Sequence, residues 1–300
     1  MFALENLYPG PYYAALWFYA ASAAILFAYL PIQAVQAARR ARGTGETVGS
    51  SLGEEAPLAH ALGLAARMAI LGGVVCNAYV FVQAYRYFGR PPIRTVNETL
   101  VYAAGASAIL YLVIDAVYRV RLLGGFAMLI PVALLVWNLL APASGDKEVP
   151  PALDSPWFVP HVMVYLAAYG AMAVTFAMAV AFLIVHYVLH KDAWAAVFRR
   201  WSHGSACIAF PMLTAGLCMG GFWAKSAWGD FWTWDPKENW ALVSWAFYLL
   251  YLHIRYVPGW AKARVQWFLA LGIVVIGFTY IGVAWLPAAS NSLHVFETGP

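Results

Sequence analysis

Long apolar segments recur along almost the whole chain, and they limit the folds that it can adopt. About 20 apolar residues cross the hydrocarbon core of a bilayer as a helix, and eight segments are close to this length. They lie near residues 12–34, 61–84, 99–118, 122–142, 160–188, 204–224, 239–256 and 265–286. Because 63% of the residues are hydrophobic and only 11% are charged, the chain is too apolar for a water-soluble globule. The sequence therefore predicts an all-α polytopic membrane protein with about eight transmembrane helices.

The eight segments follow one another without an internal repeat, a low-complexity tail or a stretch long enough for a soluble domain. We therefore expect residues 1–300 to form a single integral membrane domain, with an N-terminal four-helix half at 12–142 and a second half at 160–300. Glu5 is the only charged residue before the first segment. This segment lacks the basic leader of a signal peptide, and it is predicted to be a membrane anchor.

The positions of the 18 Lys and Arg residues predict the orientation of the chain. Eleven of them lie in four alternate connections, six lie in the other connections, and Arg67 lies inside the second span. Because basic connections stay on the cytoplasmic side, both termini are predicted to be extracytoplasmic. The basic segment GRPPIRT at 89–95 departs from this rule. A positive charge on the unexpected side of a membrane indicates an anionic ligand.

The three cysteines are Cys76, Cys207 and Cys218, and all lie inside predicted spans. None belongs to a CxxC pair or another metal-ligand spacing. We expect them to be small core residues, without disulfide or thiolate–metal chemistry.

The extracytoplasmic connection between the sixth and seventh spans is rich in tryptophan. Trp223, Trp228 and Trp240 have the positions of an interfacial aromatic belt. The tetrapeptide DPKE at 235–238 has the pattern of a helix start, with Asp as N-cap, Pro as first helical residue and Glu completing a capping box. Belt and cap do not explain the density of indole rings in WGDFWTW at 228–234. Such rings are costly in water unless a flat apolar group lies against them.

Two of the seven histidines share the predicted side of this connection. His161, in SPWFVPH, opens the fifth span, and His294, in NSLHVFE, follows the last span. His253 lies near the cytoplasmic end of the seventh span, about 20 Å below the tryptophans at 1.5 Å per helical residue. The other four have the positions of solvated or interfacial side chains at the cytoplasmic surface; they are His60, His186, His190 and His203.

Two imidazoles that face each other beside flat aromatic rings form an arrangement that suits haem. Its iron takes one axial imidazole on each face, and its porphyrin stacks on indole rings. The sequence therefore predicts an extracytoplasmic bis-histidine haem b site at His161 and His294. Its propionates attract Lys or Arg, and the candidate partners are Lys225, Lys237, Arg90 and Arg94.

The segment 223–255, WAKSAWGDFWTWDPKENWALVSWAFYLLYLHIR, resembles the WWD domain of the CcsA (ResC) family, the haem-handling membrane proteins of system II cytochrome c maturation. The likeness continues past the tryptophans through WDPKE-x-W-A-L to YLHIR. A weaker likeness covers GRPPIRTVNETLVY at 89–102, which resembles the second external connection of the family. The eight spans with both termini outside also fit this family.

The resemblance implies roles for individual residues. His161 and His294 correspond to the two external axial ligands and His253 to the intramembrane histidine. The family often has Ser-Tyr after its last histidine, whereas Val295 and Phe296 follow His294 here. The residues that correspond to the WWD motif are Trp228, Gly229, Trp232, Trp234, Asp235 and Trp240.

The resemblance also implies the function. Haem is relayed outward and presented beneath the WWD loop at 223–240, where its vinyl groups meet the two thiols of a CxxCH motif in apocytochrome c. The chain is then one component of a holocytochrome c synthase (haem lyase) complex. Its implied partners are a CcsB/ResB-type membrane protein and a thioredoxin-like thiol reductant. The implied location is the cell inner (plasma) membrane, within lipid and with no nucleic-acid partner.

Two alternatives stay open. A haem exporter or delivery subunit of the CcmC or CcmF kind would pass haem to a separate chaperone, and the WDPKE sequence favours the system II family over it. A haem-carrying electron-transfer membrane subunit would need paired histidines on facing helices within the bilayer. Only His253 has such a position.

Overall fold

The computed structural model describes residues 4–44, 57–93, 95–118, 121, 124–140, 152, 155–258, 260, 262–287 and 292–294. Within these residues the chain is helical and contains no β-strand. The α-helices are α1 at Leu4–Leu7, α2 at Pro9–Thr44, α3 at Pro57–Phe88, α4 at Val96–Tyr118, α5 at Gly124–Leu140, α6 at Phe158–Tyr187, α7 at Asp192–Trp228, α8 at Pro236–Ile254 and α9 at Lys262–Tyr280, and a short 3-10 helix follows at Gly282–Trp285.

Each of the eight predicted spans corresponds to one of the helices α2 to α9. Helix α5 is apolar but shorter, at 17 residues, and α8 opens with the polar sequence PKEN. The prediction of an all-α polytopic membrane protein is confirmed, whereas the orientation of the termini stays a prediction. Among the residues that the structure describes, six helical segments are long and apolar enough to cross a membrane: Pro9–Tyr29, Pro57–Phe88, Asn97–Ala116, Phe158–Tyr187, Trp194–Trp228 and Lys262–Tyr280.

Two details of the sequence interpretation are wrong. Arg199 and Arg200 were counted among the eleven basic residues in the connections between spans. They belong to α7, which begins at Asp192. Ala and Arg are strong helix formers, so the helix extends well beyond the apolar part of its sequence. Cys207 and Cys218 are exposed on the surface of the chain and are not core residues, and Cys76 is half-buried. A surface that faces lipid accepts a thiol as readily as a core does.

The chain forms two compact units. The first comprises Met1–Gly145 with Ala181–Trp201, and the second comprises Asp146–Val180 with Ser202–Pro300. Helices α6 and α7 therefore contribute residues to both units. The predicted division into a single domain with halves at 12–142 and 160–300 stays a prediction.

The first unit is built on contacts of α2 with α3 and α5, and of α4 with α3 and α5. Gly73 of α3 lets Tyr19 of α2 approach, since a Cβ atom at position 73 would lie 2.5 Å from the tyrosine ring. The one charged group in the middle of α3, Arg67, binds the buried carboxylate of Asp115 through Nε at 2.6 Å. Because an unpaired charge inside a membrane protein is costly, this pair makes Arg67 compatible with α3 as a membrane helix.

The second unit positions the candidate site. Helix α8 packs along α9, with the rings of Phe247 and Phe268 stacked at 4.2 Å. Near the start of α8, the hydroxyl of Thr279 donates to the backbone carbonyl of Trp240 at 3.0 Å. These contacts fix α8 against α9. The tryptophan-rich connection leads directly into the first turn of α8.

Candidate functional site

Residues 229–235 connect α7 to α8, and two of them have left-handed backbone. Gly229 has a φ of 92°, which glycine adopts at no steric cost. Trp234 has a φ of 59°, which costs a residue with a side chain about 1–2 kcal/mol. Its carbonyl accepts a hydrogen bond from Asn239 Nδ2 at 2.9 Å, and its indole is 69% exposed. The fold therefore holds Trp234 in a strained conformation that presents the ring to the outside.

The start of α8 confirms the predicted cap. Asp235 is the N-cap residue, Pro236 is the first helical residue, and Asp235 and Glu238 form a complete capping box. Glu238 Oε2 accepts from the backbone N–H of Asp235 at 3.1 Å and from that of Thr233 at 2.8 Å. The cap thus fixes the loop as well as the helix.

The carboxylate of Asp235 also binds the segment 292–294. It accepts hydrogen bonds from Leu293 N at 2.7 Å, from Ser292 Oγ at 3.0 Å and from His294 Nδ1 at 3.0 Å. Burial alone would raise the pKa of Asp235, but the bonds from His294, Lys237 N and Ser292 outweigh it and hold the pKa well below its usual range. Asp235 is therefore ionised and acts only as an acceptor. It follows that His294 donates from Nδ1, and in the neutral imidazole the lone pair then lies on Nε2.

His161 has the same arrangement with a different partner. It lies in the first turn of α6, and its Nδ1 lies 2.8 Å from the carbonyl oxygen of Gly216 in α7. Because a carbonyl only accepts, Nδ1 carries the proton and Nε2 the lone pair. Gly220 makes room for the ring, since a Cβ atom there would lie 2.8 Å from its Cε1.

One buried indole contacts both histidines. Trp223, which is 3% exposed, stacks on His161 at 5.5 Å and meets His294 edge-on at 5.3 Å between ring centroids. Trp228 packs on both Trp223 and His294, at 4.8 and 4.7 Å. The structure therefore brings the two predicted external ligands to one aromatic cluster, formed by His161, His294, Trp223 and Trp228.

The sequence interpretation assigned Trp223 to the aromatic belt and missed this contact. Trp223 and Trp228 lie five residues apart at the end of α7, so their spacing alone gives no sign that they meet the same imidazole. Gly216 and Gly220 were also missed. Their spacing of four residues places them on one helical face, which was the available signal of a close approach by another element.

The other WWD residues lie apart from the histidines. Trp232 and Trp234 contact each other edge-on at 6.0 Å, and neither makes a ring contact with a histidine of the described part of the chain. Trp240 packs on Phe278 of α9 at 4.3 Å. Of the six motif residues, Trp228 and Asp235 are therefore the ones in contact with His294, while Trp232 and Trp234 form a separate outer pair.

The predicted propionate partners differ in what they already bind. Arg90 forms a two-pronged ion pair with Glu98, with both N–O distances at 2.9 Å. Arg94 lies outside the described residues. Lys225 donates to the Gly229 carbonyl and lies over the ring of Phe231.

Lys237 is the remaining candidate. Its ammonium makes no hydrogen bond or ion pair with the residues that the structure describes, although it is half-buried. Burial lowers the pKa of Lys237, and the nearby Asp235 opposes this effect. An anion placed against Lys237 would compensate its burial.

His253 is exposed on α8, and its Nδ1 donates to the carbonyl of Leu249 at 2.7 Å. In the neutral imidazole the lone pair then lies on Nε2, the same tautomer as in neutral His161 and His294. On the neighbouring helix α7, His203 contacts the hydroxyl of Tyr251 at 3.2 Å and the sulfur of Cys207 at 3.5 Å.

The three histidines with a hydrogen-bonded Nδ1, namely His161, His294 and His253, suit haem better than a bare metal ion. Among the described residues no group of three or more His, Cys, Asp or Glu side chains could hold a metal. Haem iron needs only one or two protein ligands, because the porphyrin supplies the other four. A histidine with Nδ1 bonded to an acceptor is oriented for ligation through Nε2.

Fold and site together define a multi-pass membrane protein in which two imidazoles and two indoles form one cluster. The family model described as Cytochrome C assembly protein matches residues 93–289, more than half of the chain. The chain belongs to this family, and the resemblance to CcsA proteins drawn from residues 223–255 is confirmed.

Two relatives illustrate this membership. The cytochrome c biogenesis protein CcsA of Trieres chinensis is 29% identical over 266 residues, which cover 74% of this chain and 85% of the relative. The CcsA of Chlamydomonas reinhardtii is 30% identical over 222 residues, covering 70% of this chain and 62% of the relative.

A solved structure shares the fold. The cytochrome c haem lyase CcmF superposes with a TM-score of 0.60 at 17% identity over 99% of this chain. The chain spans about half of that structure, 53% of its length.

Proposed function

We propose that the chain relays haem b across the membrane and presents it, outside the cytoplasm, for covalent attachment to apocytochrome c. The observation that carries this proposal is the pair of histidines, His161 and His294, each with Nδ1 bonded to an acceptor and both packed on Trp223. Each imidazole offers Nε2 as an axial ligand. The membership in a cytochrome c assembly family supports haem as the cargo.

The outer tryptophans supply a surface for the porphyrin. Trp234 directly precedes the capped start of α8, and its side chain is exposed although its backbone is left-handed. The ring of Trp232 contacts it edge-on. Strain of this kind persists where the surrounding structure fixes it, and it concentrates at ligand sites. Lys237 is the residue best placed by its free ammonium to meet a propionate.

Attachment needs little acid–base chemistry from this chain. Each cysteine S–H of the CxxCH motif adds across one haem vinyl group, forming a C–S bond at one carbon and a C–H bond at the other. The reaction consumes no oxidant or reductant, provided that the thiols arrive reduced. The role of the chain is to hold the vinyl groups and the apocytochrome together, and positioning of this kind lowers the barrier substantially. The histidine of CxxCH then replaces one of the two imidazoles.

The proposed partners are those that the family resemblance implies. His253 has one tied nitrogen and one lone pair, and a CcsB/ResB-type membrane protein would supply the second ligand beside it. A thioredoxin-like protein would keep the apocytochrome thiols reduced. We place the assembly, a holocytochrome c synthase, in the inner (plasma) membrane with the WWD loop on the extracytoplasmic side.

The test is the absorption spectrum and the cytochrome c maturation of a double variant. Protein purified from haem-replete cells should carry b-type haem with two imidazole ligands. The change of His161→Ala with His294→Ala should remove or shift the external haem signal and abolish maturation. The matched control removes two other imidazoles, with His186→Ala and His190→Asn; asparagine suits the φ of 51° at position 190.

The control variant should mature cytochromes normally. Normal maturation by the His161/His294 double variant, at equal protein level, would show that these two histidines do not hold the haem. Adding imidazole to either single variant should restore part of the activity, because the small ligand enters the vacated space.

A further inference from the structure

One carboxylate serves two separate segments of the second unit. Asp235 Oδ1 accepts from Lys237 N at 2.8 Å, which caps α8, and from His294 Nδ1 and Ser292 Oγ, both at 3.0 Å. Its Oδ2 accepts from Leu293 N at 2.7 Å. The side chain is buried, with 2% of its surface exposed. Four donors therefore converge on a single buried anion.

A helix cap alone does not need this residue type. Asn and Ser are as good as Asp at an N-cap, because one side-chain oxygen is sufficient. The contacts to Leu293 N and His294 Nδ1 need two acceptor oxygens at once. An asparagine would turn an N–H toward one of these donors, leaving it without a partner. The donor set is therefore specific for a carboxylate.

We infer that Asp235 is a positioning residue for His294, acting on the haem iron through the imidazole and not by contact with the porphyrin; this inference rests on the proposed function. The bond to a full negative charge fixes the tautomer of His294 and increases the electron density at Nε2. His161 has only a neutral carbonyl partner, that of Gly216. The two axial ligands are thus unequal, and His294 is the stronger donor.

The same contacts position the ring. His294 is held edge-on against Trp228 at 4.7 Å and against Trp223 at 5.3 Å. The backbone of its own segment is held by Leu293 N on the same carboxylate. A shift of the first turn of α8 would therefore move His294 with it, so the loop and the ligand behave as one body.

The decisive measurement is the reduction potential of the haem in purified, full-length protein, with haem dissociation measured alongside. A ligand made more anionic by a carboxylate favours ferric iron, so Asp235→Asn should raise the potential. It should also weaken haem binding by about 10–100-fold, as for other residues that orient a metal-bound histidine. Asp235→Glu keeps the charge and should recover part of both values. Ser292→Ala is the control for the backbone of this segment, because it removes one bond to Asp235 and the bond from the His294 backbone N–H to Ser292 Oγ but keeps the bond of the imidazole.

A double-variant comparison shows whether the effect passes through His294. In a His294→Met background, whose thioether can ligate iron but cannot donate to the carboxylate, Asp235→Asn should change the potential much less than in the wild-type protein. An equal shift in both backgrounds would overturn the inference, and so would an Asp235→Asn protein with unchanged potential and haem affinity. Should Asp235→Asn fail to fold, Asp235→Ser keeps the cap and loses the bond to His294, and the same two measurements apply.

The outcome is separable from that of the proposed function. Wild-type protein that binds no haem at the pair of histidines would remove the proposed function itself. Wild-type protein that binds haem there, with Asp235→Asn behaving as the control Ser292→Ala does, would remove only the role of Asp235.

Discussion

Carboxylates and guanidinium groups of the first unit are bonded differently from three imidazoles of the second unit. In the first unit they pair with each other: Arg67 with Asp115 at 2.6 Å, and Arg90 with Glu98 through two contacts of 2.9 Å. In the second unit the imidazoles of His161, His294 and His253 are bonded through Nδ1 alone.

A mutually bonded pair of opposite charges explains a charge in a membrane protein without a ligand. A half-bonded imidazole in the same environment keeps an unsatisfied lone pair, which has a cost unless something binds there. The comparison therefore separates two ion pairs that account for their own charges from three imidazoles that we propose as haem ligands.

The largest expected effect tests His253. The change of His253→Ala should leave the protein folded but remove most of the haem at the external site when haem is made only in the cytoplasm. The reason is that His253 is the proposed ligand for haem on its way from the cytoplasm to the external site. Haem content per protein, from the absorption spectrum, is the measurement.

Supplying haem from outside should restore the external signal in the His253→Ala protein. An unchanged external haem content without that supply would make His253 a packing residue. The three half-bonded imidazoles would then no longer form one functional class.

The next effect tests the first unit. The single change of Asp115→Ala leaves the Arg67 charge without its partner, and breaking a buried ion pair costs about 3–5 kcal/mol of unfolding free energy. The double change of Arg67→Met with Asp115→Leu should restore most of this stability. Unfolding of the detergent-solubilised protein gives both values.

Haem content should be unaffected in the Arg67/Asp115 double variant, because the two charges compensate each other without a ligand. A stable double variant that has lost its haem would assign a ligand-binding role to the first unit and remove the contrast between the units.

A smaller effect with two opposite signs is expected at Trp234. The change of Trp234→Gly relieves the left-handed backbone and should raise the unfolding free energy by about 1 kcal/mol. It also removes an aromatic face, which should weaken haem binding by about 1–3 kcal/mol, the range of other aromatic stacking platforms. Trp234→Phe keeps a ring and should retain part of the affinity.

Unfolding and haem titration of the same Trp234 preparations give the two signs. Loss of stability in Trp234→Gly would mean that the indole is needed for packing, and the idea of a strained residue kept for a ligand would be incorrect.

The smallest effect concerns Lys237. A propionate contact with the ammonium should make haem bind about tenfold more tightly than in Lys237→Gln, since a hydrogen bond to a charged group contributes about 1.5 kcal/mol. Haem dimethyl ester, which lacks the propionate charges, should bind both proteins equally. Lys225→Gln is the matched control, because Lys225 already binds the Gly229 carbonyl.

The difference at Lys237 should also disappear as the pH rises. Burial lowers the pKa of Lys237, so its ammonium is lost at a lower pH than that of an ordinary lysine. A difference between the two proteins that persists with the ester would exclude a propionate as the partner.

The elements that the sequence predicted well are those set by local chemistry. The apolar segments gave all eight long helices, and DPKE gave the cap of α8 with each residue in its predicted place. The start of α7 was missed because helix propensity, and not hydropathy, continues the helix back to Asp192.

Such local patterns did not predict the contacts between residues that are far apart in the sequence. Asp235 and His294 are 59 residues apart, and nothing local distinguishes a cap that also binds an imidazole. Trp223 was assigned to the membrane surface because an indole at a helix end has that position in most membrane proteins. The Arg90–Glu98 pair was closer to reach, since TVNE at 95–98 is itself a capping box that brings Glu98 back toward the preceding loop.

Gly220 and Gly221, two neighbouring glycines near the end of α7, differ in the space available for a side chain. A methyl group at position 220 would meet the imidazole of His161 at 2.8 Å, and that ring is fixed by its bond to Gly216 and its stack on Trp223. At position 221 the nearest atom would be the carbonyl oxygen of Phe231 at 3.4 Å, which is ordinary contact. Keeping the His161 ring in its place therefore requires glycine at 220, whereas position 221 has room for a small side chain.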